Sequence, residues 1–151
     1  MINEIDMKIL NILRENARIS NADIARMMNM EPSAVLERVR KLESNGYVSG
    51  YETRLDYKKL GLKLTAFIEL LTSETIGSTD IGYKLAKLPF IQEIYSVSGD
   101  YCYLIKVRVA DSDALAELLS QMGQIKGIKS SKTTLVLKPV KESSSIELTN
   151  L

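Results

Sequence analysis

The chain of 151 residues carries 20 Lys+Arg against 19 Asp+Glu, one Cys and no His or Trp, with 45% apolar and 26% charged residues. Those fractions belong to one ordinary folded domain or two small ones, neither disordered nor fibrous. Without imidazole there is no Ser-His or Cys-His nucleophile pair, no His general base and no His-based metal site, and a single thiol builds neither a thiolate cage nor an intrachain disulfide.

The opening MINEIDMKIL holds acidic residues and no basic leader. No apolar run approaches the roughly 20 residues that span a bilayer. The expectation is a cytoplasmic protein that uses no cofactor, metal or membrane and is not an enzyme.

Residues 3–15 place Ile5, Ile9, Ile12 and Leu13 on one stripe at helical spacing, and Asn3 with Asp6 reads as the helix N-terminus. Ser20 followed by Asp23 resembles a capping box that opens a second short helix, with Ile24, Ala25, Met27 and Met28 as its apolar face. Asn29 and Pro32 bracket a tight turn. Pro32 suits the first position of a third helix, which runs to about Ser44 with Gly46 just beyond. Three short helices with a short turn between the last two predict a helix-turn-helix.

On a wheel of about 100° per residue, Val35, Leu36, Val39 and Leu42 fall on the side that packs against the first two helices. Ser33, Ala34, Glu37, Arg40 and Lys41 fall on the other side, with Arg38 at the flank. Small residues at its start let the helix N-terminus approach a phosphate, and arginine contacts guanine bidentately or neutralises phosphates. A basic run of this kind also reads as a solvated helix face. Its place after the turn makes it a candidate recognition helix for double-stranded DNA. Glu37 is either an acceptor for a cytosine amino group or a helix-face partner of Arg40 or Lys41. Ser20, Asn21 and Arg54 are secondary candidates for backbone contacts. Each reads alternatively as a cap or a solvated side chain, the preferred reading for Asn21. Residues 1–61 hold 10 basic and 9 acidic residues and residues 62–151 hold 10 of each, so any basic patch is local.

From Tyr47 the period changes, and YVSGYETRLD suggests a short strand or wing around Gly50. DYKKLGL looks like a connector, with Gly61 as the boundary between domains 1–61 and 62–151. Beyond it, 64–72 reads as a strand and 78–88 as a helix carrying Ile81, Leu85 and Leu88. Strands are expected at 91–98 and 101–109 around Ser98-Gly99-Asp100, a helix at 111–122 with Leu115, Leu118, Leu119 and Met122, and a closing strand at 133–137. The fold class is therefore α+β: an N-terminal winged helix-turn-helix of three helices, then a βαββαβ ferredoxin-like domain. KESSSIELTNL reads as a loosely held tail that a partner subunit orders.

These residues resemble the Lrp/AsnC (feast/famine) transcriptional regulators. IDMKILNILRENARISNADIARMM is similar to the family's first two helices, and MEPSAVLERVRKLESNGYVSGY to its third helix and exit strand. KLGLKLTAFIEL, VSGDYCYLIKVRVAD and KTTLVLKPVK are similar to its effector and assembly domain. The resemblance implies a dimer formed through the sheet, further assembly commonly to an octamer, a roughly palindromic operator, and a small effector, often an amino acid, bound between dimers. It also implies an effector site at Gly99, Asp100, Tyr101 and Cys102, with Thr133 and Thr134 facing the same region.

From the residues alone, Gly99 supplies a positive φ in a hairpin, Asp100 stabilises it, Cys102 is a buried strand residue and the two threonines are strand formers. Two positions depart from the family pattern. Glu31 stands where the family usually has Ser, and Glu is a poor N-cap, so the cap either moves to Ser33 or is lost. Cys102 replaces a usual second Asp, and a neutral thiol does not supply the charge that holds an α-ammonium group. Two other readings stand beside the regulator. One is a metabolite sensor or assembly protein without operator specificity. The other is an enzyme resembling the siroheme decarboxylases, which depend on histidine and are disfavoured by its absence.

Overall fold

The computed structural model describes residues 1–149. It contains five helices and four strands among these residues, in two compact units. The first comprises Met1–Arg54 together with the chain from Lys141 on, and the second comprises Leu55–Val140. No helix of the described residues is long and apolar enough to cross a membrane.

In the first unit, α1 (Glu4–Glu15), α2 (Asn21–Met28) and α3 (Pro32–Ser44) pack around Ile9, Leu13, Ile24, Ala25, Val35, Val39 and Leu42. α1 opens with a complete capping box: the Asp6 amide donates to Asn3 Oδ1 at 3.0 Å, and the Asn3 amide donates to Asp6 Oδ2 at 3.2 Å. α2 is capped by Ser20, whose Oγ accepts from the Asp23 amide at 3.0 Å. Asn29 ends it in the left-handed region at φ +51°, which asparagine tolerates well. α3 begins on Pro32 after Glu31, which makes no side-chain cap bond, so the expected cap is lost rather than moved.

Two apolar positions depart from the expected faces. Met27 is 66% exposed, since α2 buries Ile24 and Ala25, and Leu36 is 36% exposed, since α3 buries Val35, Val39 and Leu42. The segment after α3 forms no strand. Among the described residues it joins no ladder, and it is tied back instead by the Val48 amide, which donates to the Leu42 carbonyl at 3.1 Å, and by Tyr51, whose hydroxyl donates to Glu43 at 2.8 Å.

The second unit is a four-stranded antiparallel sheet in the order β2-β3-β1-β4, built from β1 (Leu64–Thr72), β2 (Ile91–Ser96), β3 (Tyr103–Val109) and β4 (Ile128–Leu135). Ala66, Ile68, Leu70, Ile105 and Val107 alternate toward the layer made by α4 (Asp80–Leu85) and α5 (Ser112–Gly123), which add Ile81, Leu85, Leu115, Leu118 and Met122. The connections β1-α4-β2 and β3-α5-β4 give the βαββαβ order that the sequence predicts.

α4 is shorter than the expected 78–88, since 3₁₀-type bonds from Lys87 and Leu88 tighten its end ahead of Pro89. β4 starts five residues before Thr133, in the polar run IKSSK. It is an edge strand, so hydrophobic alternation is weak and the pairing with β1 defines it. The unit boundary falls at Arg54/Leu55, ahead of Gly61, because the connector packs on the sheet: the Arg108 guanidinium lies 4.8 Å from the Tyr57 ring centroid. The tail, expected to depend on a partner subunit, instead groups with the first unit. Asn11 grips the Leu148 backbone from both sides, at 2.8 Å through Nδ2 and 3.1 Å through Oδ1.

Candidate nucleic-acid interface and effector region

The three-residue turn Asn29-Met30-Glu31 sets α3 after α2, and the Met30 amide closes it on the Ala25 carbonyl at 2.9 Å. Ser33, Glu37, Arg40 and Lys41 are exposed along one side of α3, and Ala34 is half-exposed. With Leu36 and Ser44, the four exposed residues line a shallow depression of about 320 Å³. Leu36 is the residue that the wheel assigns inward; a quarter turn from the buried stripe, it offers an apolar contact of the kind a thymine methyl makes.

The cations on α3 differ in what holds them. Lys41 Nζ lies 2.8 Å from Glu37 Oε1, but both side chains are about two-thirds exposed, at 68% and 67%, so the pair contributes little and opens readily. The Lys41 bond and charge hold the Glu37 carboxyl below its ordinary value, so Glu37 is an anion on this face. Arg40 is exposed and makes no ion pair among the described residues. Arg38 is different: its Nη1 donates to Asp6 Oδ1 at 2.8 Å and lies 3.5 Å from Asn3 Oδ1 at the start of α1.

The secondary candidates lie on other elements than α3. Ser20 serves as the α2 cap and donates to Asp23 at 2.7 Å. Asp23 also pairs with Arg26, and these contacts hold its carboxyl below the ordinary range. Asn21 is half-exposed at the first position of α2. Arg54 donates to the Glu142 carbonyl of the tail at 3.2 Å.

In the sheet unit, Gly99 adopts φ +111°, as the hairpin reading requires, and Asp100 is exposed beside it. Tyr101 and Cys102 are half-buried; Cys102 precedes β3 rather than lying within it, and its amide donates to the Leu70 carbonyl at 2.7 Å. Thr133 and Thr134 do not face one region. Thr133 pairs with Ile68 on the helix-covered side and Thr134 with Phe67 on the open side, since successive strand residues alternate. β1 separates both threonines from the 98–102 loop, a gap of about two strand spacings or ~10 Å. One chain therefore does not gather these six residues into a closed site.

A polar cluster that no motif in the sequence marks lies beside them. Glu74 accepts from the Tyr103 hydroxyl at 2.7 Å, Ser78 Oγ at 3.0 Å, the Ile81 amide at 3.1 Å and Thr72 Oγ1 at 3.2 Å. Burial works to raise the Glu74 carboxyl, but the four donors outweigh it and leave the group below its usual value. Burial and the bond to Glu74 push Tyr103 up to about 12.

No spacing rule links residues 74, 78, 81 and 103; the α4 packing against β3 brings them together. Because the folded carboxyl is more acidic than the unfolded one, its contribution is present above the ordinary carboxylate range and is lost as pH falls through the folded value. Glu74→Gln is expected to melt below the wild type at neutral pH, with the gap closing in acid, in a thermal unfolding series against pH.

A helix-turn-helix presenting a cationic helix, followed by a βαββαβ domain, defines a DNA-binding regulator with an appended regulatory domain. The chain belongs to the Lrp/AsnC family of transcriptional regulators. Residues 2–49 match the family model for winged helix-turn-helix DNA-binding and residues 65–146 that for the Lrp/AsnC ligand binding domain. The chain is 35% identical over 150 residues to the leucine-responsive regulatory protein of Escherichia coli strain K12, covering 96% of this chain and 90% of that protein. The structure of E. coli AsnC superposes with a TM-score of 0.90 at 28% identity, covering 98% and 99% of the two chains. A transcriptional regulator from Neisseria meningitidis in complex with L-Met superposes with a TM-score of 0.90 at 26% identity, covering 97% and 96%.

Proposed function

We propose that this protein binds a specific, roughly palindromic DNA operator through α3 and that a small effector of the amino-acid class modulates its assembly. The exposed Ser33, Glu37, Arg40 and Lys41 side of α3 carries the reading, with Ala34 allowing close approach. Arg40 and Lys41 supply phosphate or guanine contacts, Glu37 accepts from a cytosine amino group, and Ser20, Asn21 and Arg54 are peripheral.

Few cations per chain make strong binding a property of an oligomer, in which each half-site contributes. The sheet face opposite α4 and α5 supports dimerisation there: Phe67, Leu71 and Leu104 on it are half-buried apolar residues. A second pair of chains, building toward an octamer, supplies the remaining walls of an effector site that the 98–102 loop and Thr133 begin. Cys102 offers no anion to an α-ammonium group, so another carboxylate or carbonyl takes that role. The protein acts in the cytoplasm and performs no catalysis.

Selection from a random duplex pool with the full chain is expected to enrich a palindrome with half-sites about one helical turn apart or a multiple of it. Repeating the binding titration with each common amino acid identifies the effector as the one that shifts affinity or melting temperature. A pool that shows no enrichment overturns the operator reading and supports the assembly protein instead.

A further inference from the structure

We infer that Asp6 and Arg38 form a clamp that sets the orientation of α3 against α1, so that Arg38 is a positioning residue for operator recognition and does not itself touch DNA. The inference rests on the DNA-binding reading and deepens it.

A single carboxylate does two things here. Asp6 Oδ2 accepts the Asn3 amide at 3.2 Å and so closes the cap of α1, while Oδ1 accepts Arg38 Nη1 at 2.8 Å. Asn3 Oδ1, held at 3.0 Å by the Asp6 amide, faces the same guanidinium at 3.5 Å. The Asp6 side chain is only 14% exposed and that of Arg38 31%, against 68% for Lys41.

The clamp lies beside a groove between the two helices. Between the start of α1 and the flank of α3 runs a groove of about 650 Å³ whose lining includes Asn3, Asp6, Ala34 and Arg38. The apolar core on the far side, with Ile9 and Val39 among its members, resists separation but is nondirectional, so small rotations of α3 are left to the polar contacts. A rotation of α3 moves Arg40 and Lys41 away from their base edges.

Arg38 is not free to leave for a phosphate. Swinging outward strands the Asp6 carboxylate, mostly buried, beside a helix cap with its strongest donor gone. Lys41 meets no such penalty, since Glu37 is left in water. The three cations of α3 therefore fall into two kinds, and salt dependence separates them. A phosphate contact contributes about 0.9 to the slope of log affinity against log salt, whereas a positioning residue contributes nothing to it.

The test is a double-mutant cycle on the full chain with Asp6→Asn, Arg38→Gln and both together. Each is titrated with the selected operator and with a scrambled duplex over a salt series, and its fold is checked by thermal melting. Each single variant is expected to lose about tenfold in operator affinity, the double variant no more than either, with scrambled-duplex binding unchanged and any change in the operator salt slope the same in both single variants. A slope lowered by Arg38→Gln but not by Asp6→Asn, or losses that multiply in the double variant, overturns the clamp and makes Arg38 a DNA contact.

Full wild-type discrimination in both single variants overturns the clamp while leaving the DNA reading intact. A wild-type protein that prefers no sequence overturns that reading and the clamp with it. Should Asp6→Asn unfold the first unit, Asp6→Glu keeps the charge but displaces the carboxylate, and the same slope and cycle criteria apply to it.

Discussion

Replacing Arg40 and Lys41 together by alanine is expected to lower operator affinity by about tenfold or more and to flatten its salt dependence by about 0.9 in slope for each phosphate left without its cation. Arg40 is exposed on α3 with no ion-pair partner among the described residues, and Lys41 is held only by the exposed carboxylate of Glu37. Neither side chain supports the core, so the loss falls on binding rather than on folding. A dimer makes the substitution at both half-sites at once, which compounds the effect. Removing Lys41 also leaves Glu37 as an uncompensated anion on the same face, adding repulsion to the missing attraction. Fluorescence anisotropy with the selected duplex at several salt concentrations measures both quantities. Unchanged affinity and slope would place the interface elsewhere than on α3.

Ile24→Ala is expected to unfold the first unit at temperatures where the sheet unit remains folded. Ile24 is fully buried, and only six other residues, from Ile9 to Leu42, make up the buried cluster it belongs to. Truncating a buried isoleucine costs about 2–5 kcal/mol, from the reduced burial plus the cavity left behind. A whole domain is held by about 5–15 kcal/mol, and a small one lies toward the bottom of that range. Calorimetry should show the first unit's transition moved down or abolished, with operator binding abolished alongside it. A shift of only a degree or two would mean that the three helices are stabilised by something other than this core.

What is legible in the sequence follows from local chemistry. The ends of α2 and α3 are readable because Ser20, Asn29, Pro32 and Gly46 each act within a turn of their own position. β1 is readable because Leu64–Thr72 is a continuous β-type run. β4 is only half-readable: its first residues include Lys and Ser at an edge, where one side of the ladder meets solvent and polar side chains cost nothing. The exit segment looks like a strand by residue type, yet a strand needs a neighbour, and among the described residues none is supplied.

The site divides in the same way. That α3 carries cations away from its core stripe is a matter of helical period, so the sequence alone determined the face, the βαββαβ order and the absence of histidine chemistry. Which cation on that face is free was decided only by the tertiary structure. Arg38 and Asp6 stand 32 residues apart, and no rule of spacing joins them. The cluster at Glu74 is of the same kind, because its shortest bond comes from Tyr103, 29 residues distant, which reaches it only when β3 packs beneath α4. The near balance of 20 basic and 19 acidic residues therefore says little about DNA, and the different surroundings of three cations on one helix say a great deal. Periodicity and capping are short-range and survive in the sequence, whereas a hydrogen bond between elements depends on where packing brings two side chains.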